Sequence, residues 1–213
     1  MTTIAILDYG VGNVLSIYNA VIKIGSKVVI TNDKTEILAA DGLIIPGVGA
    51  FAHGMRSLVQ YDLVNFVQDV ASSSKPIMGI CLGMQMLFSH SSEFGTTQGL
   101  NLIDGRVEKL KHPEGEKIKL PHVSWNNISK NEEIEWDSTI LESVSNFEEM
   151  YFVHSFAAIP SDSENILSTT NYQGVEFCSS VRKSNIYGCQ FHPEKSALEG
   201  LKVISNFSKI CLE

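Results

Sequence analysis

The sequence predicts an α/β protein: a mostly parallel sheet flanked by helices, with additional antiparallel strands. Two observations in the first ninety residues and one beyond them carry that prediction. Short, wholly apolar runs at Ile4 to Leu7, Leu43 to Ile45 and Pro76 to Ile80 suit strands buried on both faces, and the segments between them space their apolar residues as helices do. Further on, helical spacing gives way to short β-like runs.

The elements follow in order. The first strand ends at Asp8-Tyr9-Gly10, and Val14, Ile17, Tyr18, Val21 and Ile24 then recur on one helical face, with Asn13 placed to cap and Gly25 to stop the helix. Lys27 to Thr31 is short and β-branched, a second strand. A weak helical pattern spans Thr35 to Ala40, and the run Leu43 to Ile45 ends abruptly at Pro46-Gly47-Val48-Gly49, a loop. Asp62 to Val70 places Leu63, Phe66, Val67 and Val70 on one face, Pro76 to Ile80 is the fourth strand, and Met84 to Phe88 reads as helix. The second half predicts strands at Arg106 to Leu110, Lys117 to Leu120, Met150 to Phe156, Ile166 to Tyr172, Val175 to Ser180 and Ile186 to Phe191, several of them in hairpins. Ser196 to Cys211 closes the chain as an amphipathic helix. Strand-helix alternation of this kind gathers ligands at the carboxyl ends of the parallel strands.

At 213 residues the expectation is one domain spanning residues 1–213. The composition, 44% hydrophobic and 19% charged, is that of a soluble globular enzyme. A net charge of -8 argues against nucleic acid as a partner. The opening residues hold neither a basic leader nor a long apolar stretch, so the expected location is cytoplasmic, away from any membrane. The four cysteines, at 81, 178, 189 and 211, form no C-x-x-C pair and no metal-like grouping with the six histidines, so they read as reduced thiols, and neither metal nor cofactor is expected.

One cysteine stands apart. Gly79-Ile80-Cys81-Leu82-Gly83 lies between a buried strand and a helix, the setting of a nucleophile elbow, in which a sharp turn holds the middle side chain proud of the sheet and small neighbours let the backbones crowd. The helix start after Cys81 aims free N–H groups at the sulfur and favours thiolate. Buried packing explains G-x-C-x-G equally well, so the pattern needs a base. His192-Pro193-Glu194, at the end of another strand, offers an imidazole with a carboxylate two residues on to orient it through Nδ1, leaving Nε2 for the sulfur. His53, His90, His112, His122 and His154 compete for that role.

Taken together, Gly79-Ile80-Cys81-Leu82-Gly83-Met84-Gln85 and Gln190-Phe191-His192-Pro193-Glu194-Lys195-Ser196 resemble the class I glutamine amidotransferases, a flavodoxin-like fold. Pro46 to Phe51, Pro121 to Asn126 and Tyr151 to Phe156 narrow the resemblance to the glutaminase subunits of imidazole glycerol phosphate synthase, over Ile4 to Phe207. Two positions depart from that pattern: Ser124 where glycine is usual, and Phe156 where tyrosine is common.

The resemblance implies hydrolysis of L-glutamine to glutamate and ammonia by Cys81, His192 and Glu194. The developing oxyanion would meet backbone N–H groups of Val48, Gly49 and Leu82, and Gly47, Gln85, His154 and Ser155 would border the substrate. It implies a heterodimer with a (β/α)8 cyclase that uses the ammonia in histidine biosynthesis, because the chain leaves no length for an acceptor domain. Trp125, Asn126, Tyr151 and Lys195 are the candidate contacts with that partner, although the strand-like runs around Trp125 and Tyr151 would also suit a core. The glutaminase of a sugar amidotransferase for surface glycans would look much the same, and a cysteine peptidase of related fold shares the elbow.

Overall fold

The computed structural model describes residues 1–112, 115–130 and 134–212. Its centre is an eight-stranded sheet. Strands β1 (Thr3–Leu7), β2 (Lys27–Thr31), β3 (Gly42–Ile45) and β4 (Ile77–Ile80) are joined by helices α1 (Val14–Lys23), α2 (Lys34–Ala39), α3 (Phe51–Gln60) and α4 (Val64–Ser72). After the elbow come α5 (Leu82–Met86), β5 (Phe88–Ser91), β6 (Thr97–Gln98) and β7 (Ile103–Lys109), then β8 (His122–Asn127), β9 (Ser129–Lys130), β10 (Glu149–His154) and β11 (Phe156–Pro160). Strands β12 (Ile166–Tyr172), β13 (Val175–Lys183) and β14 (Ile186–Cys189) precede the last helix, α6 (Ala197–Ile210).

The sheet order is β2-β1-β3-β4-β14-β13-β12-β9. From β2 to β14 all pairings are parallel, and from β14 to β9 all are antiparallel. Every residue of β3, β4 and β14 is buried, as expected of strands covered on both faces. Alternation divides the core: Ile4, Ile6, Ile44, Met78 and Ile80 pack with α1 and α6, whereas Ala5, Leu7, Leu43 and Ile45 face α2, α3 and α4. Residues α6 presents to the sheet include Val203, Ile204 and Phe207, all fully buried. Two smaller sheets, β10-β8 and β11-β7-β5-β6, stand beside this one.

The predicted fold class is the observed one, and several elements differ in detail. Lys117 to Leu120 forms no strand, because its backbone is held by side chains from the β12–β13 turn: Lys119 N–H donates to Gln173 Oε1 at 3.0 Å and the Tyr172 hydroxyl donates to the Lys119 carbonyl at 2.9 Å. That turn, Gln173-Gly174, has positive φ at both residues and closes the expected hairpin with a twist that matches the strands. The run Met150 to Phe156 breaks at Ser155: β10 pairs with β8 and β11 with β7, so one apolar run serves two sheets. The helix after Cys81 spans Leu82–Met86, since Phe88 already belongs to β5. Helix α3 and strands β5 and β6 were not expected.

Candidate active site

Three loops meet where the parallel strands end. β3, β4 and β14 are neighbours in the sheet, and the chain leaving them supplies the Pro46 to Gly49 loop, Cys81, and the segment from Gln190 to Glu194. Their carboxyl ends line up because Ile45 pairs with Gly79 and Ile80 with Cys189. Cys81 N–H then donates to the Cys189 carbonyl at 2.8 Å, which locks the Cys81 turn to the strand that leads to His192.

Cys81 adopts φ 54° and ψ -110°, a conformation that costs a non-glycine residue about 1–3 kcal/mol and persists only where the surroundings impose it. A Cβ built on Gly79 would stand 2.6 Å from Gly83 C, and one built on Gly83 would run into the Ile45 carbonyl. The two glycines are thus required by contact, as the elbow reading expects. α5 is only five residues long, so its dipole is weaker than that of a full helix.

His192 and Glu194 face each other through Nδ1 and Oε1 at 2.9 Å, with side chains 2% and 1% exposed. The backbone here is a single 3-10 turn, Pro193–Lys195, which brings the two side chains together. The turn is tied to β10: His192 N–H donates to the Tyr151 carbonyl at 2.9 Å, and the Ser196 hydroxyl accepts Tyr151 N–H at 3.0 Å. His192 Nε2 and Glu194 Oε2 are buried without a hydrogen bond of ordinary geometry. Burial opposes charge on the imidazole, but the Cys81 sulfur first and Glu194 second, by hydrogen bonding and by charge, raise His192 to about 10.

A cavity of about 340 Å³ opens over this group, within the range for small-molecule sites. Val48, Gly49, Cys81 and Leu82 form one wall, and Gln85, His154, Ser155 and His192 are also part of its lining. Gly49 has φ +97°, which a side chain would resist. Gly47 lies behind the wall, packed on Leu82 and Gly83. Gln85 is 5% exposed, and its amide donates to the Phe156 carbonyl and to Gln190 Oε1, each at 2.9 Å. Among the described residues, no group of three or more His, Cys, Asp or Glu could hold a metal, and no helix is long and apolar enough to cross a membrane.

Sequence reasoning missed three neighbours of the site. Glu93 lines the cavity and accepts Phe51 N–H at 2.7 Å. Tyr9, fully buried, donates its hydroxyl to the Pro46 carbonyl at 2.5 Å and so anchors the glycine-rich loop; burial pushes its pKa up. Gln190 Nε2 reaches the Cys81 sulfur at 3.6 Å. Only Gln190 stood in a recognised motif, and nothing local distinguished the other two.

The proposed partner contacts divide between two faces of β8. Trp125, 45% exposed, meets Tyr151 edge-to-face at 5.9 Å, and Lys195 Nζ lies 6.0 Å from the Tyr151 ring centroid. Asn126, one residue on, turns its side chain the other way, to His122 at 2.9 Å and the Asn171 carbonyl at 3.2 Å, because successive strand residues alternate.

The family model for class I glutamine amidotransferases matches residues 5–210. The chain belongs to that family. The amidotransferase is 43% identical over 213 residues to imidazole glycerol phosphate synthase subunit HisH 1 of Legionella pneumophila (strain Lens), covering 99% of this chain and 100% of that one. It is 46% identical over 213 residues to subunit HisH of Methanosarcina barkeri, with 99% and 100% covered, and 43% identical over 210 residues to that of Moorella thermoacetica, with 99% and 96% covered. Among solved structures, a putative GMP synthase subunit from Thermoplasma acidophilum shares the fold with a TM-score of 0.71 at 21% identity, covering 100% of this chain and 94% of the other. PurLQS from Thermotoga maritima has a TM-score of 0.71 at 19% identity, with 97% and 98% covered.

Two histidines of this amidotransferase set opposite pH limits on its stability. His192 is raised from 6.5 to about 10, so its contribution is full below pH 6.5 and is lost as pH rises through 10. His154 is lowered to about 3, by burial above all, so below pH 6.5 the unfolded chain binds a proton that the native one refuses until about 3. Thermal midpoints measured across this range are expected to peak near pH 6.5, and in His154→Gln the decline on the acid side should flatten; an unchanged acid limb would contradict the assignment.

Proposed function

We propose that the chain is the glutaminase subunit of imidazole glycerol phosphate synthase, hydrolysing L-glutamine and delivering the ammonia to a (β/α)8 cyclase subunit in a heterodimer. The observation that carries the chemistry is the strained elbow cysteine in a small-molecule cavity with the buried His192–Glu194 pair beside it. Full-length likeness to HisH subunits supports the assignment to histidine biosynthesis.

In this reading the Cys81 thiol gives its proton to His192 Nε2 as the sulfur adds to the side-chain carbonyl of glutamine, and N–H groups of Val48, Gly49 and Leu82 take the oxyanion, each such donor being worth roughly a hundredfold to a thousandfold in rate. His192 gives its Nε2 proton to the departing amine, which leaves as ammonia, and a thioester remains on Cys81. His192 then takes a proton from water, hydroxide adds to the thioester, and glutamate leaves with the thiol restored. Glu194 keeps the imidazole oriented through Nδ1. Glu93, the acidic side chain on the cavity wall, suits the α-ammonium of the substrate. Trp125, Tyr151 and Lys195 form the surface offered to the cyclase, directly outside the turn that carries His192.

Glutamate release should be measured for the chain alone, with the cyclase, and with the cyclase plus its phosphorylated ribulosyl substrate. The expected result is weak activity alone that rises about fivefold to 150-fold in the complete mixture, the size of effect that a coupling of about 1–3 kcal/mol gives. No rise, with a cyclase that still uses added ammonia, would move the acceptor to another enzyme.

A further inference from the structure

A chain of hydrogen bonds runs from the Cys81 sulfur to the inward face of β8, and one junction in it is short of a proton. Gln190 Nε2 donates to Sγ at 3.6 Å, and Gln190 Oε1 accepts from Gln85 Nε2 at 2.9 Å. Gln85 also donates to the Phe156 carbonyl, which His154 Nδ1 approaches at 2.8 Å. His154 Nε2 lies 3.0 Å from His122 Nδ1, and His122 Nε2 lies 2.9 Å from Asn126 Oδ1. The reaction steps above use none of these links beyond Cys81.

The protons can be placed in turn. A carbonyl only accepts, so His154 carries its proton on Nδ1 and, being neutral, presents Nε2 as an acceptor. Asn126 directs its NH₂ to the Asn171 carbonyl, and its Oδ1, also an acceptor, receives the Ser124 hydroxyl at 2.6 Å and faces His122. His122 therefore stands between two acceptors. Its ring is fully buried, stacked on Tyr172 at 3.9 Å and on Phe152 at 5.1 Å, with Phe177 at its edge. The titratable groups facing it are His154 on β10 and Tyr172 on β12, whose hydroxyl donates to Lys119. Burial lowers its pKa, with the Asn126 contact opposing, so the ring is neutral and has one proton for two sites.

We propose that His122 is a positioning residue for glutamine turnover, and that its tautomer, set by Ser124 and Asn126, decides whether His154 and the Phe156 carbonyl are held in place. With the proton on Nδ1 the chain from His122 to the sulfur is complete, and the opposed lone pairs lie instead at the 2.9 Å contact between His122 Nε2 and Asn126 Oδ1. With the proton on Nε2, Asn126 is satisfied and two lone pairs oppose each other across the 3.0 Å junction with His154, loosening a residue that lines the glutamine cavity. The Ser124 hydroxyl occupies one of the two lone pairs of Asn126 Oδ1, so it competes with His122 Nε2–H for that oxygen and biases the His122 proton toward His154. The positioning role rests on Cys81 being the glutaminase nucleophile; the tautomer does not.

The test is nitrogen-15 NMR of histidine-labelled chain, with kcat and KM for glutamine measured in the complex with the cyclase. Asn126→Leu should bring His122 fully to the Nδ1–H form, and Ser124→Ala should move it toward Nε2–H and lower kcat. His122→Phe, which keeps the stacking, is expected to lower kcat about tenfold while changing KM less than about twofold, the cost of a slight misplacement of reacting groups. Opposite tautomer shifts from the two flanking variants would not arise from a purely structural role. An unmoved His122 tautomer in both variants, or His122→Phe turning over at the parent rate, would overturn the proposal. Should the parent complex itself release no glutamate, the assigned function fails and the positioning role with it.

Discussion

Cys81→Ser is expected to reduce glutamine hydrolysis by at least about a thousandfold, a loss of more than about 4 kcal/mol of transition-state stabilisation. Serine fits the space, and the turn at φ 54° is imposed by the Cys189 bond and the glycine contacts rather than by sulfur, so fold and melting midpoint should stay close to the parent's. What changes is the proposed nucleophile, since a hydroxyl gives up its proton far less readily than a thiol. The same variant should leave ammonia-dependent synthesis by the proposed cyclase partner untouched. It should also lower the pKa of His192, because the sulfur is the first of the groups that raise it. Full glutamine-dependent activity in Cys81→Ser would remove Cys81 from the nucleophile's role.

Much of this site was legible because its parts are local. The elbow compresses strand end, cysteine and both glycines into five residues, and His192 and Glu194 lie two residues apart, so spacing alone suggested the contact now seen at 2.9 Å. The parallel strands were legible for a related reason: buried on both faces, they appear as unbroken apolar runs. α3 was overlooked although Phe51, Met55 and Leu58 keep helical spacing, because Gly54 interrupts the pattern; that glycine lies where the helix packs closely on the Met86 and Leu82 side chains. β5 reads Phe-Ser-His-Ser, which nothing in its composition marks as a strand.

What could not be read are relations that only tertiary packing creates. Tyr9 reaches Pro46 across 37 positions, Gln85 meets Gln190 across 105, and the two faces of β8 exist only once it pairs with β10. Asn126 and Trp125 looked like one surface in the sequence. Pairing separates them, giving Trp125 to the exterior and Asn126 to the buried histidines.

Gly83→Ala should be the most damaging substitution that leaves every polar group in place. The new Cβ would fall on the Ile45 carbonyl oxygen and 2.8 Å from Ile45 C, and both are backbone atoms of a central, fully buried strand. No side chain can rotate away to make room, so either the end of β3 or the start of α5 must move. Overpacking of this kind costs about 1–3 kcal/mol where side chains yield, and more where they cannot. The displaced elements carry the Pro46–Gly49 loop and Leu82, the two proposed sources of oxyanion donors, so a shift approaching 1 Å is expected to cost about a hundredfold in kcat as well. Gly49→Ala makes the contrast: its Cβ meets nothing within 4 Å, and its penalty of about 1 kcal/mol comes from φ +97° alone. Denaturant unfolding and glutamate release measured on both variants separate the two causes, with Gly83→Ala expected to lose stability and rate together and Gly49→Ala to lose about 1 kcal/mol of stability. A Gly83→Ala chain with the parent's midpoint and turnover would mean that the elbow relaxes cheaply, and the close approach of β3 to α5 would then not be what holds Cys81 in its strained conformation.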